Sequence, residues 1–378
     1  MNIKEISVYT FGDSRLVKTW SNVPYCLTKT LEKKGYIVNR IDISPNRYLQ
    51  AIYNRLIYPI TRLIKKDNVY LYERTLLNYA LTFSKIFFCN FKYKHTDLNI
   101  FTNFSFYNKF SSAPNLLFCD WDLDIGINDR LKRKPYFFEQ LAIDRQTSVI
   151  ERADIVISLF PNSAELMKRK YTNKNIFHLN QNVINSLYEE RVHAEEVIIQ
   201  KQTSHSLLFI GSKNYIAGAK LIIDAYGKLK EIYPNLTINI VGISKDEFEG
   251  DLPNDIILHG YLDKSISEQR ELYYDLILHA GIFVNPTPIW GGYSSTIETM
   301  FFYTPIIIAP YEEFVAEFGK DIGFGKYCDE FSPNYFITCV RQIFDSSDYK
   351  KKCISAHEAV SDYTWDNYVE LMMSKLKL

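Results

Sequence analysis

Residues 282–309 read IFVNPTPIWGGYSSTIETMFFYTPIIIA, and the order of apolar runs and turn residues in this stretch decides the fold. Ile282 to Asn285 is a short apolar run closed by Pro286-Thr287, the pattern of a buried strand meeting a turn. Gly291 and Gly292 let the backbone approach a ligand closely. Ser294, Ser295 and Thr296 stand where a helix begins, expected over Ser295 to Phe302, and offer N–H groups and hydroxyls to an anion. Pro305 to Ala309 reads as a second strand. Strand, glycine turn, helix and strand in that order form an α/β unit whose natural guest is a diphosphate. Glu298 has two readings here: a carboxylate that faces a ligand, or a solvated first-turn acid of an N-capped helix.

The same alternation extends upstream. Leu207 to Ile210 reads as a strand, Gly218 to Ile232 as a helix, and Leu236 to Val241 as a strand closed by Gly242. Ile256 to Leu258 is a short strand and Ser267 to Leu278 a helix. Before them, residues 183–205 are polar, with Glu189-Glu190 and Glu195-Glu196, and read as an interdomain linker, in part helical. The first half repeats the theme. Ile6 to Tyr9 is a strand, Phe11-Gly12-Asp13 a loop, Val23 to Lys34 a helix ended by Gly35, and Tyr36 to Ile41 a strand, a βαβ start. Residues 47–95 are helical and aromatic-rich. Strands follow at Leu98 to Phe101, Leu116 to Phe118, Ile155 to Ser158 and Ile176 to Leu179, with helices at Phe137 to Glu151 and Ser163 to Tyr171. The expected fold class is α/β, two tandem Rossmann-like domains facing across a cleft. Residues 1–182 form an N-terminal domain, 183–205 a linker and 206–360 a C-terminal domain, and a helix over 361–378 crosses back to the first domain. Ligands of such sheets bind at the carboxyl ends of the strands.

Length and composition fit this division. The chain has 378 residues, 47% hydrophobic and 23% charged, which is a globular composition with room for two cores. No apolar run approaches the length of a spanning helix, and the N-terminus lacks the apolar core of a secretory signal. Six cysteines without CxxC or metal-ligand spacing read as reduced thiols of a cytoplasmic protein. Net charge is zero, 44 Lys and Arg against 44 Asp and Glu, but the halves differ. Residues 1–182 hold 27 cations and 16 acids, and residues 183–378 hold 17 and 28. The basic half includes Arg130-Leu131-Lys132-Arg133-Lys134 and the segment Arg47 to Lys66, where Tyr48, Ile52, Leu56, Tyr58 and Leu63 alternate with Arg55, Arg62, Lys65 and Lys66. That segment is either an interfacial amphipathic helix kinked at Pro59 or a core helix with a solvated basic face. Nucleic-acid binding is not expected, because no recognition motif accompanies the charge.

Three stretches together resemble the nucleotide-sugar domain of GT-B glycosyltransferases, in particular the retaining family four. They are Leu207 to Gly211 with Ala217-Gly218-Ala219-Lys220; Ile238 to Gly242 with His259-Gly260-Tyr261-Leu262; and the opening stretch. The first half matches in layout only. The resemblance implies a metal-independent hexosyltransferase-like enzyme that retains anomeric configuration, with no cofactor and a nucleotide diphosphate sugar as donor. In the family, the acid at the Glu298 position accepts hydrogen bonds from ribose hydroxyls. The donor-binding set carried over is Ser212, Lys213, Lys220, Tyr261, Gly291, Gly292, Tyr293, Ser294, Ser295, Thr296 and Glu298. Ser212 and Ala217 occupy the positions of the family's Arg and Lys, and Trp290 that of its first acid. Lys213 and Lys220 either substitute for those cations or are surface lysines. Tyr261 either touches the nucleobase or is a core tyrosine.

Candidate catalytic residues in the first domain are Asp13, in the loop after the first strand, and Asp120 and Asp122 in Cys119-Asp120-Trp121-Asp122. Asp120 or Asp122 is expected to orient an acceptor hydroxyl or sugar, and for Asp13 and Asp120 the alternative is a loop-capping Asp. Asp120-Trp121-Asp122 also has the spacing of the DxD metal motif of GT-A enzymes, which the tandem Rossmann layout argues against. The implied function is sugar transfer to a lipid-linked or glycan acceptor in bacterial surface polysaccharide biosynthesis. The partners are a nucleotide sugar, that acceptor, and an anionic membrane surface met by the basic domain, which places the protein in the cytoplasm at the inner face of the membrane. Two rivals share the fold: a catalytically silent partner subunit that binds nucleotide or lipid, and a sugar-nucleotide epimerase, which needs paired acids and a His not found here.

Overall fold

The computed structural model describes residues 3–248, 251–288 and 292–377. The chain divides into two compact units, Met1–Val183 with Trp365–Leu378, and Ile184–Thr364. Each is built on a six-stranded sheet in which every paired neighbour is parallel.

In the first unit the strands are β1 (Glu5–Thr10), β2 (Ile37–Asp42), β3 (Leu98–Phe101), β4 (Asn115–Cys119), β5 (Ile155–Ser158) and β6 (Ile176–Phe177), in the order β2-β1-β3-β4-β5-β6. The central strands are apolar throughout because helices cover both faces of a parallel sheet. Ile100, Phe101, Leu116, Leu117 and Val156 are fully buried. Chain order reverses between β1 and β3, so the loops after these two strands flank the topological switch point.

The C-terminal helix, Trp365–Ser374, belongs to this unit. The rings of Trp365 and Tyr368 stand 6.1 and 5.7 Å from Phe118 at the end of β4. Lys33 and Lys34, in the last turn and at the end of helix Val23–Lys33, reach Asp366 at 3.0 Å and Glu370 at 2.7 Å.

Between β2 and β3 the chain runs through helical segments Arg47–Ile52 and Tyr58–Ile64 joined by a widened turn, Tyr53–Ile57, and then helix Leu76–Lys92. Pro59 has no N–H to give to the carbonyl of Arg55, which accounts for the break in register. The core-helix reading of this segment does not hold. Neither Arg47–Ile52 nor Tyr58–Ile64 buries a single side chain, and only Tyr53 between them is buried.

In the second unit the strands are β7 (Ser206–Ile210), β8 (Thr237–Val241), β9 (Ile256–Gly260), β10 (Ile282–Asn285), β11 (Ile306–Ile308) and β12 (Gly325–Tyr327), in the order β12-β11-β10-β7-β8-β9. The switch point lies between β7 and β10. Residues 184–205 are more than a linker, because helix Ala194–Thr203 buries Val197, Ile198 and Lys201 in this unit. The sequence reading also missed β12, three residues without an apolar run.

Lys201 is completely buried and donates to the carbonyls of Ile277 at 2.6 Å and Ala280 at 3.1 Å and to Thr304 Oγ1 at 2.9 Å. It thereby closes the C-terminal end of helix Ser267–His279. Burial pulls its pKa from 10.5 down to about 7, opposed by the nearby Cys353. The unfolded chain keeps this proton to higher pH than the folded one, so stability gains up to about 1.4 kcal/mol per pH unit as pH rises above 7. Urea unfolding of the wild type between pH 7 and 9.5 is expected to show this rise, and Lys201→Met is expected to flatten it.

Candidate functional site

The opening stretch sits at the carboxyl end of β10, on one side of the switch point. Its helix runs over Ser294–Phe301, one residue earlier than read from the sequence, and the side chain of its N-cap residue, Tyr293, makes no capping bond. Gly291 and Trp290 lie outside the described residues. Gly292 is exposed, and Ser294 and Ser295 are partly accessible. Asn185 Nδ2 lies 3.4 Å from Ser294 Oγ. Thr296 is buried, and so is the ring of Tyr293, which packs edge-on against Phe314 at 5.2 Å. What Tyr293 and Thr296 present to a ligand is therefore their backbone.

On the other side of the switch point, the loop after β7 is stitched to the loop after β10. The Thr287 hydroxyl lies 2.7 Å from Asn285 Oδ1 and 3.2 Å from the Tyr215 carbonyl. The backbone of helix Ile216–Ile232 passes so close that a Cβ on Gly218 would stand 2.1 Å from Thr287 Oγ1. Gly242, with φ +93°, does the same for the loop after β8, since a Cβ there would stand 2.4 Å from the Gly211 carbonyl oxygen. Three strand-end loops are thus held as one surface.

Ser212 is exposed on that surface. Lys213 is exposed and paired with Glu247 at 2.8 Å, while Lys220 is exposed one turn into its helix. Tyr261 follows β9 and is 72% exposed, so it is not a core tyrosine.

Glu298 is neither solvated nor in the first turn. It is 3% exposed, and no acid lies in the first turn of its helix. Tyr273 OH donates to its Oε2 at 2.8 Å, Tyr274 OH donates to its Oε1 at 3.2 Å, and Lys264 Nζ lies 3.4 Å from Oε2. The Tyr274 hydroxyl in turn accepts from the Leu187 N–H at 2.6 Å. Burial, followed by the charge of Glu298, raises the Tyr273 phenol well above its usual range, so it stays a donor. Lys264 also lies over the Tyr273 ring at 4.3 Å. The sequence reading missed Lys264, Tyr273 and Tyr274. The available signal was the Tyr-Tyr pair in the middle of a helix with a largely polar first half.

In the first unit, Asp13 Oδ1 accepts from the Arg15 N–H at 2.9 Å, the loop-capping role, and remains partly exposed. Asp120 and Asp122, two positions apart, have opposite surroundings. Asp122 has no exposure. Its Oδ1 accepts from the Ile125 N–H at 2.7 Å, capping a helical turn, and its Oδ2 takes the Tyr171 hydroxyl and stands 3.3 Å from Lys170 Nζ. This corrects its reading as a group that meets the acceptor, because every bond it makes is internal. Asp120 keeps partial accessibility while protein surrounds it. Burial pushes its carboxyl up to about 7, with the Arg130 guanidinium drawing it back. Arg130 itself lies over the Trp121 ring at 4.0 Å.

Solved structures resemble this architecture across its length. Sucrose-phosphate synthase from Thermosynechococcus elongatus matches with TM-score 0.68 at 13% identity, covering 99% of this chain and 98% of that one. The calicheamicin glycosyltransferase CalG4 matches with TM-score 0.55 at 11% identity, covering 100% and 99%. These are two-domain GT-B proteins. The fold is GT-B. S. aureus TarM, solved with UDP and alpha-GlcNAc-glycerol, matches with TM-score 0.58 at 14% identity over 78% of this chain. The GT-B chain described here spans 58% of the length of TarM. No protein-family model matches the chain, and no curated protein matches it by sequence.

Proposed function

We propose that this GT-B chain is a glycosyltransferase that takes a sugar from a nucleotide diphosphate donor. The observation that carries the reading is the N-terminus of helix Ser294–Phe301, where the side chain of the N-cap residue Tyr293 makes no capping bond, placed at the β7/β10 switch point. Its N–H groups and the hydroxyls of Ser294 and Ser295 suit the charge that grows on a departing diphosphate, and a fixed array of donors stabilises such charge without reorganising. Glu298, oriented by two tyrosines, is assigned to the ribose hydroxyls, and Tyr261 to the base. Asp120 is assigned to the acceptor hydroxyl. Metal-independent transfer with retention, as in family four, is the finer form of this reading. The acceptor is a lipid-linked or glycan substrate of bacterial surface polysaccharide assembly, met at the inner face of the membrane.

A thermal-shift screen over UDP-, GDP-, dTDP- and CMP-linked sugars tests it. One of them is expected to raise Tm by several degrees, since ligand at 100 times Kd adds about 2.7 kcal/mol. A screen in which no nucleotide or sugar nucleotide moves Tm would sink the assignment. A silent nucleotide-binding subunit is the second reading, favoured by Ser212 and Ala217 at the family's cation positions and by the pairing of Lys213 with Glu247. Binding without any transfer or hydrolysis would select it.

A further inference from the structure

The first unit exposes apolar side chains in a pattern that its own fold does not use. Along 47–64, Ile52, Leu56, Ile60 and Ile64 recur every four residues and are all exposed, joined by Leu63 at 87% exposure. Ile60 and Ile64 share one face of helix Tyr58–Ile64 at that spacing, while Ile52 and Leu56 stand exposed before and within the widened turn. Helix Leu76–Lys92 adds exposed Leu77, Phe88 and Phe91. So many large apolar side chains left exposed on two successive elements mark an interaction surface.

This face is held firmly. Arg133 joins Glu139, which has no exposure, through two bonds of 2.7 and 2.9 Å, and reaches the Asp67 carbonyl at 2.9 Å. Glu139 also accepts from the Val69 N–H at 2.7 Å. The chain leaving the first segment is thereby pinned to the unit's interior, and Gln50 bonds to Glu73, just ahead of the second helix.

Charge identifies the occupant. No Asp or Glu occurs between Asp42 and Asp67, or between Glu73 and Asp97, whereas Arg47, Arg55, Arg62, Lys65, Lys66, Lys85, Lys92 and Lys94 all fall in these intervals. A second copy of the chain docking by two-fold symmetry would set cations against cations. A surface with an apolar interior and an anionic rim fits both properties. Among the described residues no helix is long and apolar enough to cross a membrane, so the segments would lie along the surface rather than pass through it.

We propose that the exposed side chains Ile52, Leu56, Ile60, Leu63 and Ile64, and Phe88 and Phe91 of the following helix, enter the acyl boundary of an anionic bilayer while the flanking Arg and Lys side chains reach lipid phosphates. This deepens the reading of a membrane-borne acceptor, on which it rests, from general electrostatic attraction to insertion by two named elements.

Flotation of the full chain with phosphatidylcholine vesicles, with and without phosphatidylglycerol, tests it at low and high salt. The wild type is expected to float with phosphatidylglycerol and to keep a bound fraction at high salt, because inserted apolar side chains are not screened. Leu63→Asp with Ile64→Asp is expected to lower partitioning at least tenfold, about 1.4 kcal/mol, with thermal melting unchanged because both side chains are exposed. Ile232→Asp, an exposed apolar site in the second unit, is expected to float like the wild type. Unaltered flotation of the double variant would overturn the proposal. So would a wild-type dimer that the double variant converts to monomer without vesicles, which would assign the face to a second copy. Nucleotide-sugar thermal shifts, read without vesicles, fail only if the sugar-transfer reading fails.

Discussion

Glu298→Ala is expected to remove about 3–5 kcal/mol of stability and to weaken nucleotide binding by at least tenfold, about 1.4 kcal/mol. The first number follows from burial. The variant leaves the Tyr273 and Tyr274 hydroxyls without the carboxylate they donate to and Lys264 without its counter-charge, in a place with almost no solvent. Uncompensated buried polar groups cost more than the bonds they made were worth. The second number follows from the ribose assignment. Glu298→Gln separates the two, because the amide oxygen still accepts from one tyrosine while its NH2 faces the other hydroxyl and the charge that faces Lys264 is lost. Urea unfolding and calorimetric titration with the nucleotide found in the screen measure the effects. If stability falls while affinity at saturating folded protein is unchanged, Glu298 is a scaffold residue and not a donor contact.

Asp120→Asn is expected to lower kcat/KM about 100-fold, roughly 2.7 kcal/mol in the transition state. The ionised carboxylate is the form that accepts from an acceptor hydroxyl, so wild-type activity should climb as pH rises through about 7, and the variant should lack that limb. The same shift acts on stability with a definite sign. Its folded pKa lies above its ordinary value of 3.8, so the unfolded chain loses this proton first and stability declines between 3.8 and about 7. At pH 8 Asp120→Asn should therefore melt higher than the wild type while working more slowly, the trade expected where a strained charge serves function. Asp122→Asn should behave oppositely, with lower Tm and little change in the pH profile, because it weakens the cap on Ile125 and the bond to Tyr171. A matching loss of activity with no pH signature in both variants would remove the distinction.

The alternation of elements was legible in the sequence because both sheets are parallel and buried on two faces, which writes their strands as continuous apolar runs such as Leu207 to Ile210 and Ile306 to Ile308. Helix Ser294–Phe301 was placed to within one residue, since glycines and hydroxyl residues mark its start. The surroundings of its acid were not legible. Tyr273, Tyr274 and Lys264 lie 24 to 34 positions before Glu298 and meet it only when helix Ser267–His279 packs beside helix Ser294–Phe301. Asp120 and Asp122 look equivalent in the sequence. Tyr171, 49 positions on, decides between them by drawing Asp122 inward. The segment 47–66 reads as amphipathic, but only the absence of buried side chains other than Tyr53 along its helical turns excluded a core role.

The helix Trp365–Ser374 has a consequence for how the molecule is made. The first unit is interrupted in the chain, and Phe118 waits for Trp365 and Tyr368 until the whole intervening unit has been translated. At 5–20 residues per second that interval is about ten to forty seconds. During it the nascent first unit carries an open aromatic socket at the end of β4. Birth order and assembly order therefore differ, because the first unit leaves the ribosome before the second and closes after it.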